Sequence, residues 1–159
     1  MLVLHEGLAT MTIAIRPATA DDLRAVAALF DQYRQFYEQA PDAALALQFV
    51  TERFARQESV LLVAQGDAGD LVGFCQLYPS FCSVEAKPIY VLYDLFVSPT
   101  TRKTGAGRAL MLAAEARARA DGKARMDLTT AKTNLRAQAL YESLGWVRDE
   151  VFYAYNKAV

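Results

Sequence analysis

The chain has 159 residues, 53% of them hydrophobic, which suits one domain with a buried core. Its 17 basic residues against 18 acidic ones leave a net charge of −1, so composition gives no electrostatic case for nucleic acid or for an anionic membrane surface. No apolar run is long enough to span a bilayer, and Cys75, Cys82 and a lone His5 do not make a structural zinc site, so neither a membrane nor a metal is expected.

Residues 1–10 lack the basic and long apolar segments of a signal peptide. They are expected to be a leader outside the fold, with 11–159 forming a single domain; Met11 would serve equally well as the natural start. Met11 to Pro17 alternates as a short first strand. Thr19 or Asp21 then caps a helix predicted to reach about Glu38, with Leu23, Val26, Ala27, Phe30, Tyr33 and Tyr37 recurring on one face. Pro41 breaks it, and a second helix follows over about 42–57. Ser59–Ala64 and Leu71–Tyr78, separated by a turn at Gly66-Asp-Ala-Gly-Asp70, read as a β-hairpin. The stretch 79–88 extends the sheet or loops over a site. Ile89–Val97 is rich in β-branched and aromatic residues without strict alternation, as in a strand covered on both faces. The Ala/Leu/Arg/Glu tract over 106–120 is a helix stopped by Asp121-Gly122, and 124–130 is a strand returning parallel to 89–97 through a right-handed crossover. A last helix covers 134–144 and ends at Gly145, after which 146–147 and 151–155 supply one or two closing strands. Reduced thiols in a cytoplasmic protein are the expected state of both cysteines.

The loop between strand 89–97 and helix 106–120 carries the most chemistry. The first turn of a helix leaves N–H groups unpaired and the helix dipole adds partial positive charge, so an anion is favoured there. Gly105 and Gly107 let a phosphate approach the backbone, and Arg102, Lys103 and Arg108 add charge-assisted hydrogen bonds. The predicted ligand carries a phosphate or diphosphate. No Gly-x-x-x-x-Gly-Lys-Ser/Thr run exists, which removes a P-loop. A dinucleotide fingerprint would need a third small residue where Leu110 stands, although Asp127 has the spacing of a ribose-binding acid.

Arg102-Lys-Thr-Gly-Ala-Gly107, following Asp94-Leu-Phe-Val97, resembles the acetyl-CoA signature of the GNAT superfamily of N-acetyltransferases. A second stretch, Asn134-Leu-Arg-Ala-Gln-Ala-Leu-Tyr-Glu-Ser-Leu-Gly-Trp146, is similar to the other half of that superfamily's cofactor site. The resemblance implies an α+β domain, the acyl-CoA N-acyltransferase fold, with a mixed, mostly antiparallel sheet flanked by helices and a splayed parallel pair holding the cofactor. It implies acetyl-CoA as cofactor, contacted by the backbone of Leu95, Phe96 and Val97, by Arg102, Lys103, Thr104, Gly105, Ala106, Gly107 and Arg108, and by Asn134 and Tyr141.

Direct acetyl transfer needs a free-base amine, a polarised thioester carbonyl and a proton for the departing thiolate. Tyr141 matches the superfamily's proton donor, since a phenol is still protonated at neutral pH. Asp94, the only charge in the central strand, is the candidate base through a water or else an acceptor of backbone hydrogen bonds. Relatives of the polyamine type often carry a Glu before this Asp; here Tyr93 stands there, and regular alternation turns it to the opposite face. The end of the first helix is implied as part of the acceptor site, giving Tyr33, Arg34, Tyr37 and Glu38, with Tyr78 on the strand opposite. Arg34 offers a fork for a carboxylate and the aromatic faces suit an ammonium. The acceptor is therefore expected to be a small primary amine of amino-acid-like or diamine type. Acetylation of protein lysines or N-termini shares every cofactor feature, a CoA-binding sensor without chemistry is a further rival, and a homodimer is left open.

Overall fold

The computed structural model describes residues 12–159; the leader expected over 1–10 lies outside them. The elements are β1 (Ala14–Pro17), α1 (Leu23–Phe36, preceded by a 3₁₀ turn at Ala20–Asp22), α2 (Ala43–Ala55), β2 (Val60–Gln65), β3 (Leu71–Cys82), β4 (Lys87–Val97), α3 (Ala106–Ala120), β5 (Met126–Asp127) and α4 (Leu135–Ser143). The first compact unit ends at Leu128 and the second covers Thr129–Val159.

In the first unit one sheet runs in the order β1-β2-β3-β4-β5, antiparallel throughout except for the parallel pair β4 and β5. The long stretch 79–88 extends the sheet: β3 and β4 form one hairpin that pairs from Gly73↔Val97 out to Cys82↔Lys87. Four consecutive residues of β2, Leu61 to Ala64, are buried, so both faces of the sheet are covered. Val26, Leu29 and Phe30 of α1 and Ala46 and Val50 of α2 pack with Leu61, Val63, Phe74 and Phe96 on one face. Alternation leaves Leu62 and Ala64 to the other, where α3 packs through its buried Leu110, Met111 and Ala114. Tyr90 fixes the far end of α3, donating to Asp121 Oδ2 at 2.6 Å, while the Lys123 ammonium sits over the Tyr90 ring.

Two features depart from simple alternation. On β3 Gln76 pairs with Asp94 and Leu77 with Leu92, so Tyr93 is an extra residue in β4, a β-bulge. Parallel pairing with β5 covers only Tyr90↔Met126 and Val91↔Asp127, and the bulge begins just beyond it. A bulge bends its strand, and no pairing between β4 and β5 continues past it. The strand expected over 124–130 accordingly shrinks to Met126–Asp127.

In the second unit Asn134 caps α4, its Oδ1 accepting the Ala137 N–H at 3.2 Å. The helix ends in a left-handed turn: Gly145 has φ +86°, its N–H reaches the Glu142 carbonyl, and the Trp146 N–H reaches the Tyr141 carbonyl at 3.1 Å. This six-to-one bond brings the residue after the glycine back over the last turn. The Tyr141 and Trp146 rings are 6.3 Å apart for that reason. The closing strands expected over 146–147 and 151–155 do not form. Asp149 Oδ1 accepts the N–H groups of Val151 and Phe152, which turns the chain locally, and Phe152, Tyr153 and Tyr155 are exposed.

Candidate active site

Gln76 and Asp94 are polar residues in the middle of two apolar strands, and both are almost fully buried. Burial of a carboxylate is costly unless it is hydrogen-bonded or paired. Here Gln76 Nε2 donates to Asp94 Oδ2 at 2.9 Å and to the Tyr78 hydroxyl oxygen at 2.7 Å, while the Ser59 hydroxyl donates to Gln76 Oε1 at 2.9 Å. Ser59 thereby fixes which end of the amide faces Asp94. The Tyr33 hydroxyl donates to the Tyr93 carbonyl at 3.3 Å, close enough to Asp94 to act on its charge. Burial raises the Asp94 pKa above the usual carboxylate value, against the opposing pull of Gln76 and Tyr33. The Tyr78 phenol is pushed up to about 12, first by burial and then by the Asp94 charge. Tyr33 moves the same way for the same two reasons.

The bulge overturns the expected orientation of Tyr93. Instead of facing away from Asp94, its ring meets Tyr78 edge-on at 5.6 Å, on the side where Tyr78 reaches Gln76. Tyr33 continues this surface into α1, with Tyr37 at 5.2 Å and Phe36 beyond it. Phe36, Tyr37 and Tyr93 are largely exposed, so the buried carboxylate sits beneath an aromatic wall. Arg34, expected to offer its fork to a ligand carboxylate, also ties the fold through one of its nitrogens. Its Nη1 lies 3.0 Å from Asp31 Oδ1, and Asp31 also accepts the Asp42 N–H at 2.9 Å, tying the end of α1 to the start of α2. Glu38 takes a left-handed backbone at φ +63°, just past the α1 C-cap.

At its other end β4 leads into the glycine loop. Leu95, Phe96 and Val97 pair with Cys75, Phe74 and Gly73 on one edge, and β5 makes no pairing with them on the other. Thr101 and Thr104 hold the loop by donating to the carbonyls of Ser98 and Thr101, and Arg102 Nε reaches the Val97 carbonyl at 3.4 Å. Lys103 and Gly105 both have left-handed backbones, at φ +71° and +84°. Gly105 is the N-cap of α3 and has no side chain with which to cap the first-turn N–H groups, while a Cβ built there would meet no protein atom within 4 Å. Arg102, Lys103 and Arg108 are exposed around this turn, and Ala106 is buried beneath it. Backbone donors, a helix dipole and cations therefore coincide, as a phosphate requires.

The pattern of the Acetyltransferase (GNAT) family matches residues 24–146. The chain belongs to this family. It is thus an acetyltransferase with the GNAT fold. Among its relatives, the uncharacterized N-acetyltransferase YhfO of Bacillus subtilis (strain 168) is 45% identical over 141 residues, which cover 89% of this chain and 94% of that protein. The crystal structure of a probable acetyltransferase is similar at a TM-score of 0.86 with 35% identity, covering 92% of this chain and 97% of the other. The aminoglycoside N-acetyltransferase AAC(6')-Iy in complex with CoA has a TM-score of 0.79 at 20% identity, covering 99% and 100%, a likeness of fold alone.

Within this GNAT chain, sequence reasoning singled out Asp94 but missed Gln76, Ser59 and the role of Tyr93. Gln76 had a visible signal, as the polar residue inside Val72-Gly-Phe-Cys-Gln-Leu77. Cys75 beside it is inert, its thiol pushed up to about 12 by burial. Both cysteines are free. No described helix is long and apolar enough to cross a membrane.

Proposed function

We propose that this protein moves the acetyl group of acetyl-CoA to the primary amine of a small molecule, by direct transfer in a ternary complex. The observation that carries the reading is a buried carboxylate under an aromatic wall on the same strand whose far end opens into an anion-binding loop. In this reading the glycine loop, with Arg102, Lys103 and Arg108, holds the diphosphate, and the unpaired edge of Leu95 to Val97 bonds the pantetheine arm as an added strand would. A backbone N–H of that edge polarises the thioester carbonyl. The amine nitrogen attacks that carbon, the C–S bond breaks, and Tyr141 gives its phenolic proton to the leaving thiolate. The proton lost by the amine passes to Asp94 through a water. Asn134 both caps α4 and reaches the cofactor with its amide. The family pattern runs across both compact units, which supports reading 11–159 as one catalytic domain.

The relationship to YhfO, an N-acetyltransferase by name, supports nitrogen as the accepting atom. A panel of primary amines assayed for acetyl-CoA-dependent release of free thiol tests the proposal. Thiol release with at least one small amine and N-acetyl product by mass spectrometry is expected. Release only with lysine peptides or protein N-termini would replace the acceptor, and release with none would leave a CoA-binding module.

A further inference from the structure

Asp94 is held by a neutral donor alone. Gln76 supplies its hydrogen bond, and among the described residues no Lys or Arg forms an ion pair with it. The cations nearest by element are already committed: Arg34 to Asp31, and Arg53 to Glu52 and Glu58. A buried carboxylate without a counter-ion is unfavourable, and a ligand that brings one gains from the pairing. Above it, Tyr37, Tyr78, Tyr93 and Phe36 present ring faces and edges but no cation. Such rings attract a cation through their quadrupoles and cover an apolar body, whereas a carboxylate would find phenol donors but no counter-ion there and would face the Asp94 charge.

We infer that the acceptor binds as an ammonium cation carried on an apolar body without a carboxylate, with Asp94 as its counter-ion and Tyr93, swung to this face by the bulge, as the ring that selects the body. This rests on the acetyltransfer reading for its chemistry, yet the binding it describes is independent of turnover. It disfavours the amino-acid-like acceptor that the sequence allowed, because the rings bring no cation to a carboxylate and Arg34 spends Nη1 on Asp31 and the Ala40 carbonyl.

Three probes of one shape separate the terms: phenethyltrimethylammonium, which cannot be acetylated, the neutral 2-phenylethanol, and phenylalanine. Calorimetric titration into CoA-saturated protein should show the quaternary cation binding about tenfold or more tightly than the alcohol, with phenylalanine weaker than either. Asp94→Asn, checked for a retained thermal transition, should bring the cation down to the alcohol's affinity, and Tyr93→Ala should weaken both apolar probes. Equal binding of cation and alcohol, tighter binding of phenylalanine, or an Asp94→Asn protein that keeps its preference for the cation would overturn the inference. If the cation binds through Asp94 while no primary amine is acetylated, the inference stands and the transferase reading falls.

Discussion

The glycine loop and the Asp94 wall hang on the same strand, yet they are made of different material. In the loop the useful groups are backbone N–H groups, and the contacts that hold them are local: Thr104 bonds Thr101, Thr101 bonds Ser98, and Lys103 and Gly105 set the turn through their own φ angles. In the wall the useful groups are side chains from α1, the start of β2, β3 and β4, and the Tyr33 to Tyr93 contact spans 60 residues of sequence. A backbone site tolerates changes of side chain but fails when φ is disturbed; a side-chain site does the reverse. Each of the following substitutions bears on that contrast.

The largest effect is expected where chemistry hangs on one hydroxyl. Tyr141→Phe keeps the ring that packs with Trp146 but removes the proton that the proposed mechanism offers to the thiolate, and kcat should then fall by about 10²–10⁴ with acetyl-CoA affinity nearly unchanged. Steady-state kinetics alongside cofactor titration check this, and an unchanged kcat would return Tyr141 to a packing role.

Gly105→Val attacks the loop through its backbone. A β-branched residue is strained at φ +84°, and its side chain would point into space that no protein atom fills within 4 Å of the Cβ. Saturating acetyl-CoA, at a hundredfold excess over Kd, should stabilise the unaltered protein by about 2.7 kcal/mol and the variant by almost nothing. Arg102→Ala, which removes only a side chain, should retain most of the shift in a thermal denaturation series. Were the arginine variant the more damaging of the two, the loop would be a side-chain site after all.

The same contrast explains what could be read from the sequence. Helix α3, Ala106–Ala120, lies where its composition and the following Asp121-Gly122 place it, and the Gly145-Trp146 pair ends α4 by a turn that involves only six consecutive residues. Such features are encoded locally. The bulge at Tyr93 is not, because it is a mismatch of register between β3 and β4 and exists only once the two strands pair. Alternation therefore put Tyr93 on the wrong face, and the pairing of β5, itself short, stops just before the same bulge. The ion pair that occupies Arg34 was hidden likewise: its partner is one turn back on the helix, but what orders that partner is the Asp42 N–H of the next segment.

On the wall, Asp94→Asn should separate stability from activity. Burial raises the folded-state pKa of Asp94 above its unfolded value, so the folded protein binds that proton more tightly than the unfolded chain does. The associated stability is present below the unfolded value of about 4 and is lost as pH rises through the raised folded value. At neutral pH the carboxylate is thus a burden that the isosteric amide lacks. Asn can still accept from Gln76 through its oxygen. The variant should gain about 1–3 kcal/mol of stability at pH 7 and little or none at pH 3, while losing acetyl transfer. Denaturant melts at both pH values measure it, and a loss of stability at pH 7 would show that the carboxylate stabilises the fold.

The smallest effect is the most discriminating for the acceptor site proposed at the wall. Helices α1 and α2 end in the same way: Glu38 and Gln57 follow their C-caps with left-handed backbones, φ +63° and +53°, and the next N–H in each case returns to the last turn, Gln39 to Arg34 and Glu58 to Arg53. Glycine is the usual residue at that position because a Cβ there is strained by about 1–2 kcal/mol, part of which is offset by glycine's greater freedom when unfolded. Glu38→Gly and Gln57→Gly should each raise stability by about 0.5–1 kcal/mol. The backbone benefit is shared, so any difference between them in turnover belongs to the Glu38 side chain. If Glu38 stands at the acceptor, its variant should raise KM for the amine while the Gln57 variant leaves it alone. Equal kinetics in the two would remove Glu38 from the proposed site and leave Tyr33, Phe36, Tyr37, Tyr78 and Tyr93 with Asp94 as the proposed acceptor wall, its negative charge buried rather than displayed.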